Sequence, residues 1–191
     1  MNVIAFNGSP RREGNTAAMI ARVFAKLQAE DIQCEMVQLG GRPLAGCTAC
    51  NQCFENKDGK CVLPDDGLNG YLDKMRGADG IILASPTYFA SVTAEMKALI
   101  DRAGLVALAN GSQLRRKVGA AVVAVRRAGA VTAYDTMNHF FGINQMVTAG
   151  SRYWNLAIGW GVGEVESDQE GMATMDVLGE NMAWLLKRLA D

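Results

Sequence analysis

The sequence predicts an α/β fold. It should contain five parallel strands in the order 2-1-3-4-5, helices on both faces, and a cysteine-rich insertion after the second strand. Three observations point to it. Short apolar runs alternate with amphipathic helical segments along all 191 residues. The first strand runs straight into a loop of Gly, Ser and Arg, at the place where an open α/β sheet binds ligands. Four cysteines then interrupt the alternation once, between residues 46 and 66.

Val3-Ile4-Ala5-Phe6 is a short buried strand that ends at Asn7-Gly8-Ser9-Pro10. Ile20, Val23, Phe24 and Leu27 follow at helical spacing, with Asn15 or Thr16 placed to cap the helix start. Ile32 to Leu39 is the second strand, broken by Gly40-Gly41-Arg42-Pro43. After the cysteines, Pro64-Asp65-Asp66 opens a short helix with Leu68, Tyr71, Leu72 and Met75 on one stripe. Gly80 to Ala84 is the third strand. Met96, Leu99 and Ile100 line the next helix, which should end near Arg102-Ala103-Gly104. Val118 to Val125 is the fourth strand, and Thr132 to Met146 is helical with Ala133, Met137, Phe140 and Phe141 inward. Tyr153 to Ile158 is the fifth strand, and Met182, Leu185, Leu186 and Leu189 mark the closing helix. No repeat or linker divides residues 1–191, so a single domain is expected.

Composition narrows the function classes. A net charge of −1 with no basic run argues against nucleic acid as a partner. No stretch approaches the ~20 apolar residues of a membrane span, and no basic-then-apolar leader opens the chain. A cytoplasmic protein is expected, where thiols stay reduced. The one histidine, His139, lies among Asn138, Phe140 and Phe141 and reads as a helix-surface or packing residue. No protein acid–base residue is assigned a catalytic role.

The loop after the first strand reads Gly8-Ser9-Pro10-Arg11-Arg12-Glu13-Gly14-Asn15-Thr16. The Ser9 hydroxyl, the Arg11 guanidinium, the permissive Gly14, and Asn15 and Thr16 at a helix N-terminus suit a phosphate. The run is neither G-x-x-x-x-G-K-[ST] nor G-x-G-x-x-G, which disfavours a P-loop nucleotidase or a dinucleotide site. At the end of the third strand, Pro86-Thr87-Tyr88-Phe89 supplies a rigid turn, a hydroxyl and two rings. Such a slot suits a flat, semi-polar ligand, though the rings alone would also cover a sheet edge. Arg126 and Gly129 end the fourth strand beside it. Trp154, Trp160 and residues 159–163 suit an interface or ligand-cover segment, with packing the first reading of each tryptophan, and Cys34 reads as a small buried residue in mid-strand.

Cys47, Cys50, Cys53 and Cys61 have the spacing C-x2-C-x2-C-x7-C. Four thiolates suit an iron–sulfur cluster or a tetrahedral zinc, and the same residues could also be idle thiols. Three cysteines at gaps of two lie closer to the ferredoxin-like run than to two separated zinc knuckles.

Gly8-Ser9-Pro10-Arg11 with Gly14-Asn15-Thr16 resembles the FMN phosphate loop of the NADPH-dependent FMN reductase family, in the flavodoxin-like superfamily. The run from Ser85-Pro86-Thr87-Tyr88-Phe89 to Asp101-Arg102 is similar to that family's second signature, where the third strand's loop borders the flavin ring. Cys61-Val62-Leu63-Pro64-Asp65-Asp66 is similar to the end of the cysteine loop in iron–sulfur flavoproteins. The resemblance implies a flavodoxin-like three-layer sandwich and FMN held by Ser9, Arg11, Gly14, Asn15, Thr16, Pro86, Thr87, Tyr88, Phe89, Arg126 and Gly129. It also implies a [4Fe–4S] cluster on Cys47, Cys50, Cys53 and Cys61. Relatives carry a Gly-rich stretch where this chain has Arg127-Ala128-Gly129-Ala130, which loosens the side-chain assignments there.

The expected activity is FMN-dependent electron transfer between a reduced donor, NAD(P)H among the possibilities, and a small-molecule or protein acceptor. The resemblance further implies a homodimer or homotetramer. Two alternatives stand beside it: an NAD(P)H-dependent FMN or quinone reductase with no cluster, and a non-enzymatic carrier like a flavodoxin.

Overall fold

The computed structural model describes residues 1–190. Its sheet runs in the order β2-β1-β3-β4-β5, all parallel, as the alternation predicts. The strands are β1 (Asn2–Asn7), β2 (Gln33–Gln38), β3 (Gly80–Pro86) and β4 (Val118–Val125), followed by β5 (Val147–Thr148) and β6 (Leu156–Ile158). The helices are α1 (Asn15–Gln28), α2 (Gln52–Asn56), α3 (Leu68–Gly77), α4 (Ala94–Ala109), α5 (Ala130–Ile143) and α6 (Gln169–Ala190).

The two-residue period of the central strands divides the core. Ile4, Phe6, Ile81, Leu83, Ala121 and Val123 face α3, α4 and α5. Val3, Ala5, Ile82, Ala84, Ala120 and Val122 face α1 and α6. Strands β1, β3 and β4 are buried on both faces, which is why they read as unbroken apolar runs.

Three elements differ from the sequence reading. The fifth strand position is filled by two short segments. β5 pairs with Val118–Gly119, and β6 pairs with Val123–Val125. Between them, residues 149–155 leave the ladder, held by the Ala149 amide on the Gly119 carbonyl (2.8 Å) and the Val123 amide on the Asn155 carbonyl (2.9 Å). Helix α4 runs on past Gly104 to Ala109. Gly104 is not a stop, because it lies under the Phe140 ring, where an added Cβ would sit 3.4 Å away. Helix α1 takes Gly14, not Asn15 or Thr16, as its N-cap and has no side-chain cap bond. The Asn15 side chain accepts from the Gly163 amide instead, at 2.8 Å.

Candidate functional site

Two sites are built on this frame, one at the carboxyl edge of the sheet and one beside α4. The first is a cleft enclosing about 570 Å³ of empty space, part of it open to solvent. Ser9, Arg11, Asn15, Thr16, Pro86, Thr87, Tyr88 and Arg126 line it, together with Ala124, Gly159 and Trp160.

Its floor is the loop between β1 and α1. The Ser9 amide donates to Asn7 Oδ1 at 3.0 Å, and Ser9 Oγ accepts from the Arg11 amide at 3.2 Å. Behind the loop, Gln38 Nε2 donates to the carbonyls of Ser9 and Gly40 at 2.7 and 2.8 Å. Asn7 Nδ2 in turn donates to Gln38 Oε1 at 3.1 Å. Thr93, the N-cap of α4, donates through Oγ1 to the Gly8 carbonyl at 2.9 Å. The loop is therefore held from three sides. With no side chain capping α1, its first amide donors face the cleft unspent, as anion sites at helix N-termini require.

The wall is the end of β3. Thr87 Oγ1 is buried and has no hydrogen-bond partner within the chain. A buried hydroxyl left without a partner is costly, so this atom is set for a polar ligand group. Tyr88 and Ser91 exchange backbone hydrogen bonds at 2.9 and 3.0 Å across a tight turn. The turn's central residues, Phe89 (φ 48°) and Ala90 (φ 58°), both lie in the left-handed region. This geometry carries Phe89 to the turn tip, where it is fully exposed and outside the cleft. Gly129 (φ 86°) lies behind the same turn, where an added Cβ would meet Ala90 Cα at 2.8 Å. Gly129 and Gly14 shape the cleft without lining it.

The roof is Arg126 with Trp160. The guanidinium carbon stands 4.1 Å from the indole ring centroid, a cation–π contact. Trp160 is 64% exposed, and Trp154 is also exposed, so neither is a packing residue, and Trp160 takes the cover position that was the other reading of this segment. The Trp160 amide donates to Glu164 Oε2 at 2.7 Å. Amides of Gly161 and Trp160 hold the Glu164 carboxyl below the usual carboxylate range.

The second site is a pocket that all four predicted cysteines line, together with Arg102, Leu105 and Val106 of α4. Three residues in the left-handed region, Ala49 (φ 53°), Asn51 (φ 58°) and Lys57 (φ 49°), bend the chain around it. Such strain in non-glycine residues gathers at functional sites. Cys53 is buried on α2, Cys61 is half-buried, and Cys47 and Cys50 are exposed. Burial pushes the Cys53 thiol up from its ordinary pKa. Among the described residues, no three His, Cys, Asp or Glu side chains converge to bind a single ion. Arg102 is buried behind the thiols and is bonded to the Ala45 carbonyl and the Asp66 carboxylate. Burial works against ionisation of Asp66. The Arg102 and Ala45 hydrogen bonds outweigh it, holding this carboxyl below its usual range.

Residues 1–161 match the NADPH-dependent FMN reductase family. The chain belongs to that family. An iron–sulfur flavoprotein of Methanocaldococcus jannaschii is 38% identical, over 98% of both chains. An iron–sulfur flavoprotein of Methanosarcina thermophila is 30% identical, over 98% of this chain and 96% of its own. Among solved structures, RosB with a bound flavin-derived intermediate aligns over all of this chain and 80% of its own, with a TM-score of 0.76 at 17% identity. A flavodoxin from the domain Archaea aligns over 98% of this chain and 99% of its own, with a TM-score of 0.63 at 16% identity. Those two structures speak for the flavodoxin-like fold. As a member of the FMN reductase family, the chain is an FMN-dependent oxidoreductase.

For this FMN reductase family member, sequence reading missed the residues that steady the site. Asn7 and Gln38 brace the phosphate loop from β1 and β2. The only signal was a polar side chain near the carboxyl end of each strand. Gly159 and Trp160, by contrast, lie in the segment the sequence offers as a ligand cover, and they enter the cleft because β6 lies next to β4.

Proposed function

We propose that this family member passes electrons between a reduced donor and an acceptor through FMN in the sheet-edge cleft and a [4Fe–4S] cluster on Cys47, Cys50, Cys53 and Cys61. The observation that carries the reading is that the four cysteines line one pocket. A zinc ion would need its sulfurs about 2.3 Å from one point and so ~3.8 Å from each other. A cubane cluster instead gives each thiolate its own iron and keeps the sulfurs apart around an enclosed volume. Four thiols lining one pocket are the donor set that such a cluster takes.

The cleft likewise fits FMN, with free helix donors and Arg11 for a phosphate and the unpartnered Thr87 hydroxyl for a polar ring edge. When bound, FMN supplies exchange of a hydride or of single electrons, and a cluster supplies single-electron transfer. The chain's own residues orient and tune. Ser9, Arg11 and the α1 N-terminus fix an anionic tail, while Tyr88 and Trp160 supply aromatic walls. Arg126 keeps a positive charge at the cleft, which favours a gain of negative charge there. No residue lining the cleft is a carboxylate or a histidine, so proton transfer is left to solvent and donor.

Anaerobic purification of the full chain followed by an iron and sulfide count tests the reading. About four of each per chain, with broad absorption near ~400 nm beside flavin bands, is expected. Flavin bands without iron would select the cluster-free reductase instead, and zinc without iron would select a structural loop. Oxidation of NAD(P)H no faster than with free FMN would favour a carrier. We further propose a homodimer or homotetramer in the cytoplasm. The exposed Tyr153, Trp154, Ile158 and Trp160 support self-association, and a single-chain mass by light scattering would overturn it. No helix among the described residues is long and apolar enough to cross a membrane.

A further inference from the structure

The cysteine cavity holds one charge that the thiols alone do not explain. Arg102 is 2% exposed and lines the cavity with all four cysteines. A guanidinium stays charged at any pH a protein meets, and its burial is costly unless paired. Its donors are distributed unevenly. One terminal nitrogen donates to the Ala45 carbonyl at 3.0 Å and to Asp66, and the other reaches Cys61 Sγ at 3.4 Å. Nε is buried and has no partner within the chain.

Cys61 is also held from behind. Its amide donates to Asn69 Oδ1 at 2.9 Å, and Asn69 Nδ2 donates back to its carbonyl at 3.0 Å. Cys61 is therefore fixed by side chains at both its backbone and its sulfur. Cys47 sits exposed with one backbone amide on its sulfur, at 3.4 Å.

We propose that Arg102 is the positioning and potential-setting cation of the four-thiolate site, holding Cys61 Sγ for iron and raising the reduction potential of the cluster, with Asp66 opposing that rise. The inference rests on the cluster reading above. A site with four thiolates becomes more negative by one charge when it gains an electron, and no bond breaks. A buried, fixed positive charge and an N–H donor to sulfur stabilise the reduced site more than the oxidised one. Burial strengthens the effect relative to a surface lysine. Asp66 cancels part of the charge, so the two members of one ion pair should move the potential in opposite directions. A merely structural pair would not do so.

The test compares wild type with Arg102→Gln, Arg102→Lys and Asp66→Asn, each as the full chain purified anaerobically. Each protein is counted for iron and sulfide, then titrated with dithionite under visible and electron-paramagnetic-resonance monitoring. The expected midpoint is lower than wild type in Arg102→Gln, intermediate in Arg102→Lys and higher than wild type in Asp66→Asn. A wild-type chain without iron removes the cluster reading itself. An iron-loaded Arg102→Gln or Asp66→Asn with the wild-type midpoint overturns this inference and leaves the cluster reading intact. If Arg102→Gln fails to fold or to hold iron, Asp66→Asn decides, and an unchanged or lowered midpoint there overturns the proposal.

Discussion

Thr87 shows how a single hydroxyl separates stability from binding. With Oγ1 buried and unpartnered, Thr87→Val removes a desolvated polar group and keeps the shape. FMN-free protein should be as stable as wild type or more so by up to about 1 kcal/mol, while FMN affinity falls about tenfold. Thermal unfolding of the flavin-free chain and a fluorescence titration with FMN measure the two effects, and unchanged affinity would remove Thr87 from the site. Cys34 offers a second check at this scale. Burial pushes its thiol up to about 11, so at pH 8 it should react with iodoacetamide far more slowly than exposed Cys47 and Cys50 in metal-free protein. Mass spectrometry with and without urea reads the difference. Most cleft residues were legible because they cluster at strand ends, where the topology places ligands. Phe89 was not, since an aromatic residue beside Tyr88 gives no hint that both central turn residues have positive φ. Asn7 and Gln38 were illegible for another reason, because nothing local pairs two amides 31 positions apart.

Among the elements, the Tyr88–Ser91 turn carries the most strain. Turns with two positive φ values favour Asn and Gly, and here Phe89 and Ala90 hold those places. Ala90→Gly should stabilise the chain by up to about 1 kcal/mol, while Gly129→Ala, whose Cβ would strike Ala90, should destabilise it by about 1–3 kcal/mol and weaken FMN binding. Chemical denaturation checks both signs, and a stabilising Gly129→Ala would refute the packing account. The α1 start misled sequence reading because Asn15 is a good capping residue whose side chain is used on Gly163 instead. The fifth strand misled it because two short segments share one position, and neither carries a full strand's alternation. The extent of α4 was obscured by Gly104, whose small size serves the contact with Phe140 rather than a helix stop.

At the scale of the whole molecule, alternation alone sufficed for the layered sheet and its order, since buried parallel strands cannot hide their apolar runs. Attachment of the cysteine insertion could not be read, because it depends on Arg102 and Asp66, which lie 36 positions apart. That pair predicts a pH limit. The folded Asp66 carboxyl titrates below its unfolded value, so its contribution is present above about pH 4 and is lost as pH falls through the folded value. Urea midpoints measured from pH 6 to 3 should drop at the acid end. Asp66→Asn should cost about 2 kcal/mol at pH 7 and flatten that drop; an unflattened acid limb would exclude Asp66 as its source. Helix α4 has a further consequence. Thr93 at its start touches the phosphate loop, and Arg102 touches Cys61 about 13 Å further along the axis. The helix is thus a ruler between the two sites, graduated in turns. Under the proposed reading, electron transfer between the two sites weakens exponentially with distance, so a shared mount on one helix would hold its rate steady. One residue inserted between Thr93 and Arg102 would swing the guanidinium about 100° off the cavity, whereas a whole turn would keep it facing the thiols and lengthen the gap by about 5 Å.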